Sequence, residues 1–248
     1  MCGRFTLKSP RRGRVAGASD AELFAMAPRY NIAPSQQVLG VIQTDGQPPA
    51  TATHPSEARS SSSEVSRPRP AACWFHWGLI PSWSTDSKGF INARAETLQK
   101  KASFREAFRE RRCLILADGF YEWKRKGKTK QPYYFQLQDE MPFAFAGIWD
   151  QWQRGGATIT SCALITTTPN ELMAPIHNRM PVILQPDNYQ NWLSEPNPTK
   201  LNALLVPIPA AEMKGFPVST AVNRPQVDDA SLVEPVEEVP LLENGMLF

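Results

Sequence analysis

From residue 74 to residue 184 the chain repeats short apolar or aromatic segments separated by turn residues, which limits the folds available to it. Each segment is three to nine residues long, a length typical of strands rather than helices. The succession, with few helices between, predicts an α+β domain built on a curled, mostly antiparallel sheet with peripheral helices. The predicted strands are Trp74–Leu79, Cys113–Ala117, Phe120–Trp123, Tyr133–Leu137, Phe143–Trp149, Thr158–Thr166 and Val182–Leu184, preceded by Val38–Ile42.

Few helices are predicted. Ser19–Glu22 and Ser103–Glu106 both have the form of a capping box, which predicts one helix from Asp20 and another that ends near Arg111. Thr199 is the predicted cap of a further short helix. Because no internal repeat and no clear linker interrupt this pattern, we expect a single compact domain.

Two stretches differ from the rest in composition. Residues 43–71 are rich in Pro, Ser, Thr and Ala, with a serine run at 60–63, and are predicted to form a long surface loop inserted in the domain. Residues 233–248 form an acidic tail that we expect to be loosely held. The predicted domain therefore covers residues 1–232, with the insertion inside it.

Charge and cysteine content exclude some classes of protein. The formal net charge of +3 does not by itself indicate a nucleic-acid partner, and the basic run 124–130 is open to interpretation as a solvated turn. The four cysteines form no C-x-x-C pair, which argues against a zinc site and favours reduced thiols in a cytoplasmic protein. No run approaches 20 apolar residues, so we expect neither a membrane span nor export.

Cys2 is the residue with the most distinctive chemistry. Removal of Met1 would leave a thiol and a free α-amine on adjacent carbons of one residue. An α-amine titrates near pH ~8, so a substantial fraction is neutral and nucleophilic at cellular pH. Amine and thiol together can trap an aldehyde as an imine and then as a five-membered thiazolidine. The alternative is that a second-position cysteine is accidental and Met1 is retained.

Polar residues at the ends of predicted elements are candidates for a site. Asn92 can hydrogen-bond a reacting amine or carbonyl, and Arg94 can clamp a phosphate. A turn asparagine beside a surface Arg94–Glu96 pair explains the same residues without a function. Arg4, next to Cys2, offers another phosphate contact or is an ordinary surface arginine.

Two candidate proton carriers lie elsewhere in the chain. Glu122 falls between aromatic residues on a predicted strand, where apolar neighbours would raise the pKa of its carboxyl. On an alternating strand it is equally consistent with a solvent-facing glutamate. His177 lies in a polar turn and suits acid–base chemistry near neutral pH, although a histidine that only caps the turn fits the same pattern.

Six motifs, taken together, resemble one known family. They are Met-Cys-Gly-Arg-Phe at 1–5, Arg-Tyr-Asn-Ile-Ala-Pro at 29–34, Trp-Gly-Leu-Ile-Pro-Ser-Trp at 77–83, Asn-Ala-Arg-Ala-Glu-Thr at 92–97, Asp-Gly-Phe-Tyr-Glu-Trp at 118–123 and Ile-His-Asn-Arg-Met-Pro at 176–181. In this order over about residues 2–225 they resemble the SOS-response-associated peptidase (SRAP) family. The resemblance implies a single α+β domain with a barrel-like sheet and a DNA groove. The insertion at 43–71 is longer than expected for a compact bacterial member.

The resemblance also implies a function. It predicts an abasic-site sensor that crosslinks to single-stranded DNA through Cys2, with strand junctions as a further predicted target. Asn92 is then the orienting amide, Glu122 the acid–base residue and His177 its partner in Schiff-base and ring-opening steps. The implied DNA contacts are Arg4, Asn31, Trp83, Arg94 and Thr166. No cofactor or metal is expected, and the protein is expected to be a monomer that is cytoplasmic, and nucleoid-associated in a bacterium.

Two rival functions remain at this point. An exposed N-terminal nucleophile also serves amide hydrolysis, so a cysteine peptidase that uses Cys2 with His177 or Glu122 as its base is one alternative. A module that binds single-stranded DNA without covalent chemistry is the other. The crosslinker requires an abasic aldehyde, the peptidase requires a peptide, and the binding module does not require Cys2.

Overall fold

The structure is a computed structural model that describes residues 2–8, 26–45, 68–127 and 129–238. Strands dominate these ranges, as predicted. In chain order they are β1 (Phe5–Leu7), β2 (Arg29–Ile32), β3 (Gln37–Thr44), β4 (Arg69–Trp77), β5 (Asn92–Arg94), β6 (Arg112–Ala117), β7 (Gly119–Lys126), β8 (Thr129–Leu137), β9 (Phe143–Arg154), β10 (Ala157–Thr167), β11 (Met180–Pro181), β12 (Ile183–Leu184) and β13 (Met213–Pro217).

Helices in the described residues are short and peripheral. The α-helices are α1 (Ala102–Glu110), α2 (Tyr189–Ser194) and α3 (Pro198–Ala203), and the 3₁₀ turns are Ala95–Thr97, Pro186–Asn188, Ala210–Glu212, Thr220–Asn223 and Ala230–Val233. Two predicted caps were wrong. Lys101 is the N-cap of α1, because its backbone is the last extended one before the helix. At α3 the cap is Asn197, whose side chain accepts from Thr199 N. The helix predicted from Asp20 falls almost entirely outside the described residues.

Five strands close into a barrel. They pair in the cyclic order β4–β3–β6–β9–β10, and β10 completes the ring by pairing with β4. The β10–β4 pairing is parallel, with Ser161 opposite His76, whereas the other four are antiparallel. β5 adds to β10 in parallel, so Asn92 lies opposite Leu164. The predicted curled, mostly antiparallel, barrel-like α+β sheet is therefore confirmed.

A second sheet packs beside the barrel in the antiparallel order β13–β8–β7–β1–β2. Strands β7 and β8 form its central hairpin, in which Phe120 lies opposite Phe135. Gly119 begins β7 at a point where no side chain fits, because a Cβ there would lie 2.0 Å from the hydroxyl oxygen of Tyr134. The glycine therefore lets the tyrosine ring pack directly on the backbone.

β1 is only three residues long, yet polar contacts hold it firmly. Thr6 Oγ1 donates to Asp118 Oδ1 (2.6 Å), and Lys8 N donates to the other carboxylate oxygen (2.7 Å). Lys8 Nζ in turn donates to the hydroxyl of Tyr134 (3.0 Å). Charge-assisted bonds of this kind are stronger than neutral ones, so they give the short strand a defined position.

One apolar core fills the barrel and extends under the second sheet. It includes Phe5, Phe75, Trp77, Phe120 and Phe145, all with negligible exposure. The ring of Phe5 lies edge-on to both Trp77 and Phe145, with centroid distances of 5.0 and 5.7 Å. β1 therefore contributes a central core side chain, and its position is tied to the packing of the barrel.

A smaller apolar cluster lies on the other face of the second sheet. Residues 218–236, called the strap below, cover this face, and Val218, Val222 and Leu232 pack against Tyr121 and Tyr134. The strap is also bonded to β13, since Val236 N donates to Pro217 O. Its last residues therefore lie against the sheet, in contrast to the loosely held tail expected from 233; residues 239–248 lie outside the described ranges.

The predicted insertion is shorter than its composition indicates. β3 extends to Thr44 and β4 begins at Arg69, and these two residues lie opposite each other in the ladder. Residues 46–67 lie outside the described ranges. Among the residues described, no helix is both long enough and apolar enough to cross a membrane.

Candidate active site

Cys2 lies at the junction of the two sheets. The segment that carries it continues β1 along β7, since Tyr121 N donates to Arg4 O (3.0 Å). The side chain of Cys2 is fully buried, and its thiol lies 3.8 Å from the same carbonyl oxygen. Burial, and secondarily the negative charge of Glu122, raises the pKa of the thiol well above its usual range. The thiol is therefore protonated as it stands, and its reaction requires a group that accepts the proton.

Asn92 contacts Cys2 directly. Its Nδ2 donates to the backbone carbonyl oxygen of Cys2 at 2.7 Å. Because a carbonyl only accepts, this bond requires the nitrogen side of the amide to face Cys2. The other side, Oδ1, is buried and accepts no hydrogen bond from the protein. An acceptor buried without a partner is rare in folded proteins and indicates a position where a ligand or a newly formed group donates.

Glu122 follows Tyr121 on β7 and lies opposite Tyr133 on β8. Only 2% of the residue is exposed, so the buried interpretation of this strand position holds rather than the solvent-facing one. Burial raises the pKa of its carboxyl, while the nearby charge of His177 opposes that rise. Glu122 thus interacts electrostatically with both Cys2 and His177.

His177 is held by a turn rather than by a strand. Its backbone N donates to Met173 O (2.9 Å), and its Nδ1 accepts from Arg179 N (3.1 Å). The same Nδ1 lies 3.2 Å from Arg179 O. When Nδ1 is unprotonated it accepts from the N–H, and when protonated it can donate to the carbonyl. The backbone of Arg179 therefore holds the ring in place whether or not Nδ1 carries the proton.

Arg179 was quoted in a sequence motif but was not assigned a role, and its side chain joins two parts of the site. Nη1 and Nη2 donate to the two carboxylate oxygens of Glu96 at 2.6 and 3.0 Å. Nη2 also donates to the backbone oxygen of Thr166 (2.5 Å). The surface pair considered between Arg94 and Glu96 is thus replaced by a pair between Glu96 and Arg179. It links the turn of His177 to the end of the strand that carries Asn92.

An open cavity of about 430 Å³ lies beside these groups. Its lining residues are Glu122, Trp123, Arg125, Lys130, His177 and Asn223. Trp123 Nε1 donates to Asn223 Oδ1 at 2.8 Å, which fixes the plane of the indole ring at the cavity wall. The two candidate proton carriers therefore face one space large enough for a nucleotide-sized ligand.

Two predicted DNA contacts make their hydrogen bonds within the protein, where Asn31 is buried and Arg4 is half-buried. Asn31 is 1% exposed, and its Nδ2 donates to three backbone carbonyls of the strap. Arg4 Nη1 donates to Asn31 Oδ1 (2.8 Å) and to Val222 O (2.9 Å). Burial lowers the pKa of the Arg4 guanidinium. Both side chains thus connect the segment of Cys2 to the strap, and a contact of either with DNA stays a prediction.

The other three predicted DNA contacts differ in exposure. Trp83 is 62% exposed on a loop that Asp150 holds through Ser82 N (2.9 Å), and it does not line the cavity. Arg94 is exposed at the end of β5, opposite Thr166. Thr166 is fully buried and donates to Ala93 O (3.4 Å). Only Trp83 and Arg94 present their side chains to solvent, and their contact with DNA also stays a prediction.

The remaining cysteines are buried in the core. Burial raises the pKa of the thiols of Cys73, Cys113 and Cys162, as expected for small apolar core residues. In the described part of the chain, His, Cys, Asp and Glu form no group of three or more that could hold a metal ion.

Comparison with known proteins agrees with the motifs. Residues 1–225 match the family model described as SOS response associated peptidase (SRAP). The chain is 40% identical over 244 residues to abasic site processing protein YoaM of Bacillus subtilis, which covers 94% of this chain and 98% of that protein. It is 28% identical to abasic site processing protein YedK of Escherichia coli, over 95% of this chain and 100% of that one. A crystal structure of a protein from Bacteroides thetaiotaomicron matches with a TM-score of 0.73 and 25% identity, covering 95% of this chain and all of that one. The chain therefore belongs to the SOS response associated peptidase family.

Proposed function

We propose that this protein processes abasic sites in single-stranded DNA by forming a thiazolidine crosslink through Cys2. The observation that carries the proposal is the hydrogen bond from Asn92 to the Cys2 carbonyl, together with an open cavity lined by Glu122 and His177, two groups whose charges interact. The names of the related proteins, which refer to abasic-site processing, support the same substrate. An abasic nucleotide has no base to unstack, so its entry into the cavity is less costly than that of an intact nucleotide.

The α-amine of Cys2, freed by removal of Met1, acts first. It attacks C1′ of the abasic sugar, forming a C–N bond and releasing the C1′ hydroxyl as water. Asn92 orients this step: its Nδ2 holds the Cys2 carbonyl, and its buried Oδ1 accepts an N–H of the amine. The amine can reach the sugar while the thiol is still protonated, in agreement with the raised pKa of the thiol.

Ring opening and ring closure then move one proton each. His177 gives a proton to the sugar ring oxygen as the C1′–O bond breaks and the imine forms. The thiol of Cys2 adds to the imine carbon, and its proton leaves to Glu122. A transfer between Glu122 and His177, whose charges interact across the site, restores both groups. Amine and thiol belong to one residue, so closure is intramolecular and has a high effective molarity. The sum is sugar plus Cys2, giving thiazolidine plus one water.

Intact-protein mass spectrometry with an abasic single-stranded oligonucleotide tests the proposal. The wild type, once free of Met1, is expected to gain the mass of the oligonucleotide less one water. Cys73→Ala removes another buried thiol and should leave the adduct unchanged. Cys2→Ala keeps an α-amine but lacks the thiol, so its adduct should appear only when borohydride reduces the imine.

Each outcome separates the proposal from its rivals. A stable adduct with Cys2→Ala and no reductant would remove the thiazolidine step. A wild type without Met1 that binds the oligonucleotide but forms no adduct would favour the non-covalent binding module. Cleavage of added peptides by the wild type, without any DNA adduct, would favour the peptidase that the family's description names.

A further inference from the structure

We propose that Arg125 and Lys130 form a subsite for one phosphate of the DNA backbone beside the abasic nucleotide. Both residues line the cavity that Glu122 and His177 also line. The subsite rests on the proposed function, because a sugar in contact with the two proton carriers would place a neighbouring phosphate along the same wall. A phosphate bound there would fix the position of the DNA strand along the cavity, which the reacting residues alone do not do.

The strand register places the two cations face to face. Arg125 lies directly opposite Lys130 in the β7–β8 ladder. Side chains in such a pair project on the same face of the sheet with Cβ atoms only ~5 Å apart, and like charges in this position are destabilising. A pair that is unfavourable for the hairpin alone becomes favourable when an anion lies between the two side chains, since a backbone phosphodiester has two non-bridging oxygens that can accept from both.

The two cations also differ from their neighbour. Both are exposed, and among the described residues neither side chain makes a hydrogen bond or an ion pair. Lys124, one residue earlier, donates to Glu238 Oε1 (3.4 Å), lies 5.7 Å from the ring centroid of Tyr133 and does not line the cavity. Among the hairpin cations whose side chains are described, one is thus used by the protein itself and two face the cavity without a partner.

Trp123 and Asn223 complete the wall between the cations and the proton carriers. The hydrogen bond from Trp123 Nε1 to Asn223 Oδ1 holds the indole in place beside Arg125 on the same strand. A DNA strand that enters here meets an acidic and basic pair and two positive charges in one cavity. The cavity therefore fits a sugar with one adjoining phosphate better than a neutral ligand.

A scan with neutral phosphates tests the subsite. Single-stranded oligonucleotides that contain a tetrahydrofuran abasic analogue each carry one methylphosphonate, moved in turn along the positions that flank the analogue. For the wild type, one position is expected to weaken binding roughly tenfold, as for the loss of a charge-assisted bond. In the Arg125→Gln/Lys130→Gln variant that position should weaken binding no more than distant ones. The salt slope of the unmodified oligonucleotide should fall by about 0.7.

Lys124→Gln is the matched control, because it removes one charge from the same hairpin without altering the cavity lining. It should keep the position-specific penalty of the wild type. Thermal unfolding checks that the double variant is folded, and we expect it to be at least as stable as the wild type once the like-charge pair is gone.

The outcomes that overturn the subsite are distinct from failure of the proposed function. A penalty profile that is flat in the wild type, or unchanged in Arg125→Gln/Lys130→Gln, would overturn it. A profile that Lys124→Gln flattens equally would also overturn it, because the loss of the position-specific penalty would then reflect the total charge of the hairpin. The proposed chemistry is judged separately, by crosslinking of the wild type to an oligonucleotide with a natural abasic site.

Discussion

Replacing Glu96 by glutamine tests whether the ion pair to Arg179 stabilises the turn of His177. The substitution keeps the size of the side chain and removes its charge. Arg179 is 12% exposed and Glu96 49%, and both carboxylate oxygens accept from the guanidinium. A glutamine has only one oxygen to accept, so the nearly buried guanidinium loses one bond and the partner charge.

The expected magnitude follows from that geometry. An exposed ion pair contributes at most about 1 kcal/mol, and a bidentate one with a mostly buried arginine lies at the upper end of this range. Because half of the carboxylate is in water, we discount the interaction for solvent screening and expect the free energy of unfolding to fall by about 1 kcal/mol. For a domain of this size the melting temperature should then fall by roughly 2–4 °C at pH 7.

The pH dependence gives the sharper assay. The hydrogen bond from Arg179 lowers the pKa of the Glu96 carboxyl in the folded state. A group with a lowered folded pKa stabilises the protein above its unfolded pKa, about 4.3, and this contribution is lost as the pH falls through the folded pKa. The difference in the free energy of unfolding between wild type and Glu96→Gln should therefore be largest at pH 7. It should shrink as the pH falls below about 4.

Thermal unfolding across this pH range, followed by circular dichroism, measures the effect. Glu106→Gln is the control, since Glu106 is 68% exposed, makes a single 3.0 Å contact with Arg111, and leaves Arg111 paired with Asp150. Equal melting temperatures for wild type and Glu96→Gln at pH 7, or a difference that stays constant as the pH falls well below about 4, would refute the reasoning. Because Arg179 also holds the His177 ring, the rate of the proposed crosslinking should fall several-fold in Glu96→Gln and remain unchanged in Glu106→Gln.

Four further substitutions have distinct expected results. Glu122→Gln should slow crosslinking with little change in the binding of undamaged single-stranded DNA. Because burial raises the pKa of the Glu122 carboxyl, thermal unfolding should also show the variant gaining stability relative to wild type as the pH rises above about 4.3. Asn31→Ala should lower the free energy of unfolding by about 2 kcal/mol, because Val227 O loses its donor and Arg4 loses the acceptor Asn31 Oδ1, and a large loss of DNA binding in the folded variant would instead make Asn31 a direct contact. Gly119→Ala should be destabilised by about 3 kcal/mol in denaturant titration because the added methyl meets the Tyr134 ring, and an unperturbed midpoint would contradict the packing. Arg94→Ala should weaken binding to all single-stranded sequences alike and lower the salt slope; an unchanged slope would show that Arg94 contacts no phosphate.

The strand-rich α+β domain was predictable because short apolar segments between turn residues have few other ways to bury their side chains. The closure of the barrel was not, because it depends on the parallel pairing of β10 with β4, two strands that are far apart in sequence. Periodicity identifies which residues form a strand but carries no information on such long-range partners. The prediction of the helix caps was wrong for a local reason. The extended backbone continues to Lys101 and to Asn197, and these residues, rather than the predicted ones, precede the first helical turn.

The candidate reactive residues could be selected from their chemistry, whereas the side chains that support them could not. A cysteine at position 2 and a histidine in a polar turn are unusual enough to notice in a sequence. Arg179 is an ordinary arginine in sequence, and only the folded chain places its side chain between Glu96 and Thr166. Asn31 and Arg4 were predicted as DNA contacts because they match family positions near the DNA, and no sequence pattern indicates the hydrogen bonds by which they join two distant segments of the protein.

The bonds between Arg4 and the strap have a consequence for the order of events during synthesis. Arg4 and Val222 are separated by 218 positions, so the N-terminal segment cannot take its final place until nearly the whole chain has been made. At about 5–20 residues per second, a ribosome leaves this segment unanchored for roughly 10–40 s. The proposed removal of Met1 has to occur on an accessible N-terminus, and this interval provides one before Cys2 becomes buried. Translation speed and aminopeptidase activity would together determine what fraction of the protein matures with a reactive amine.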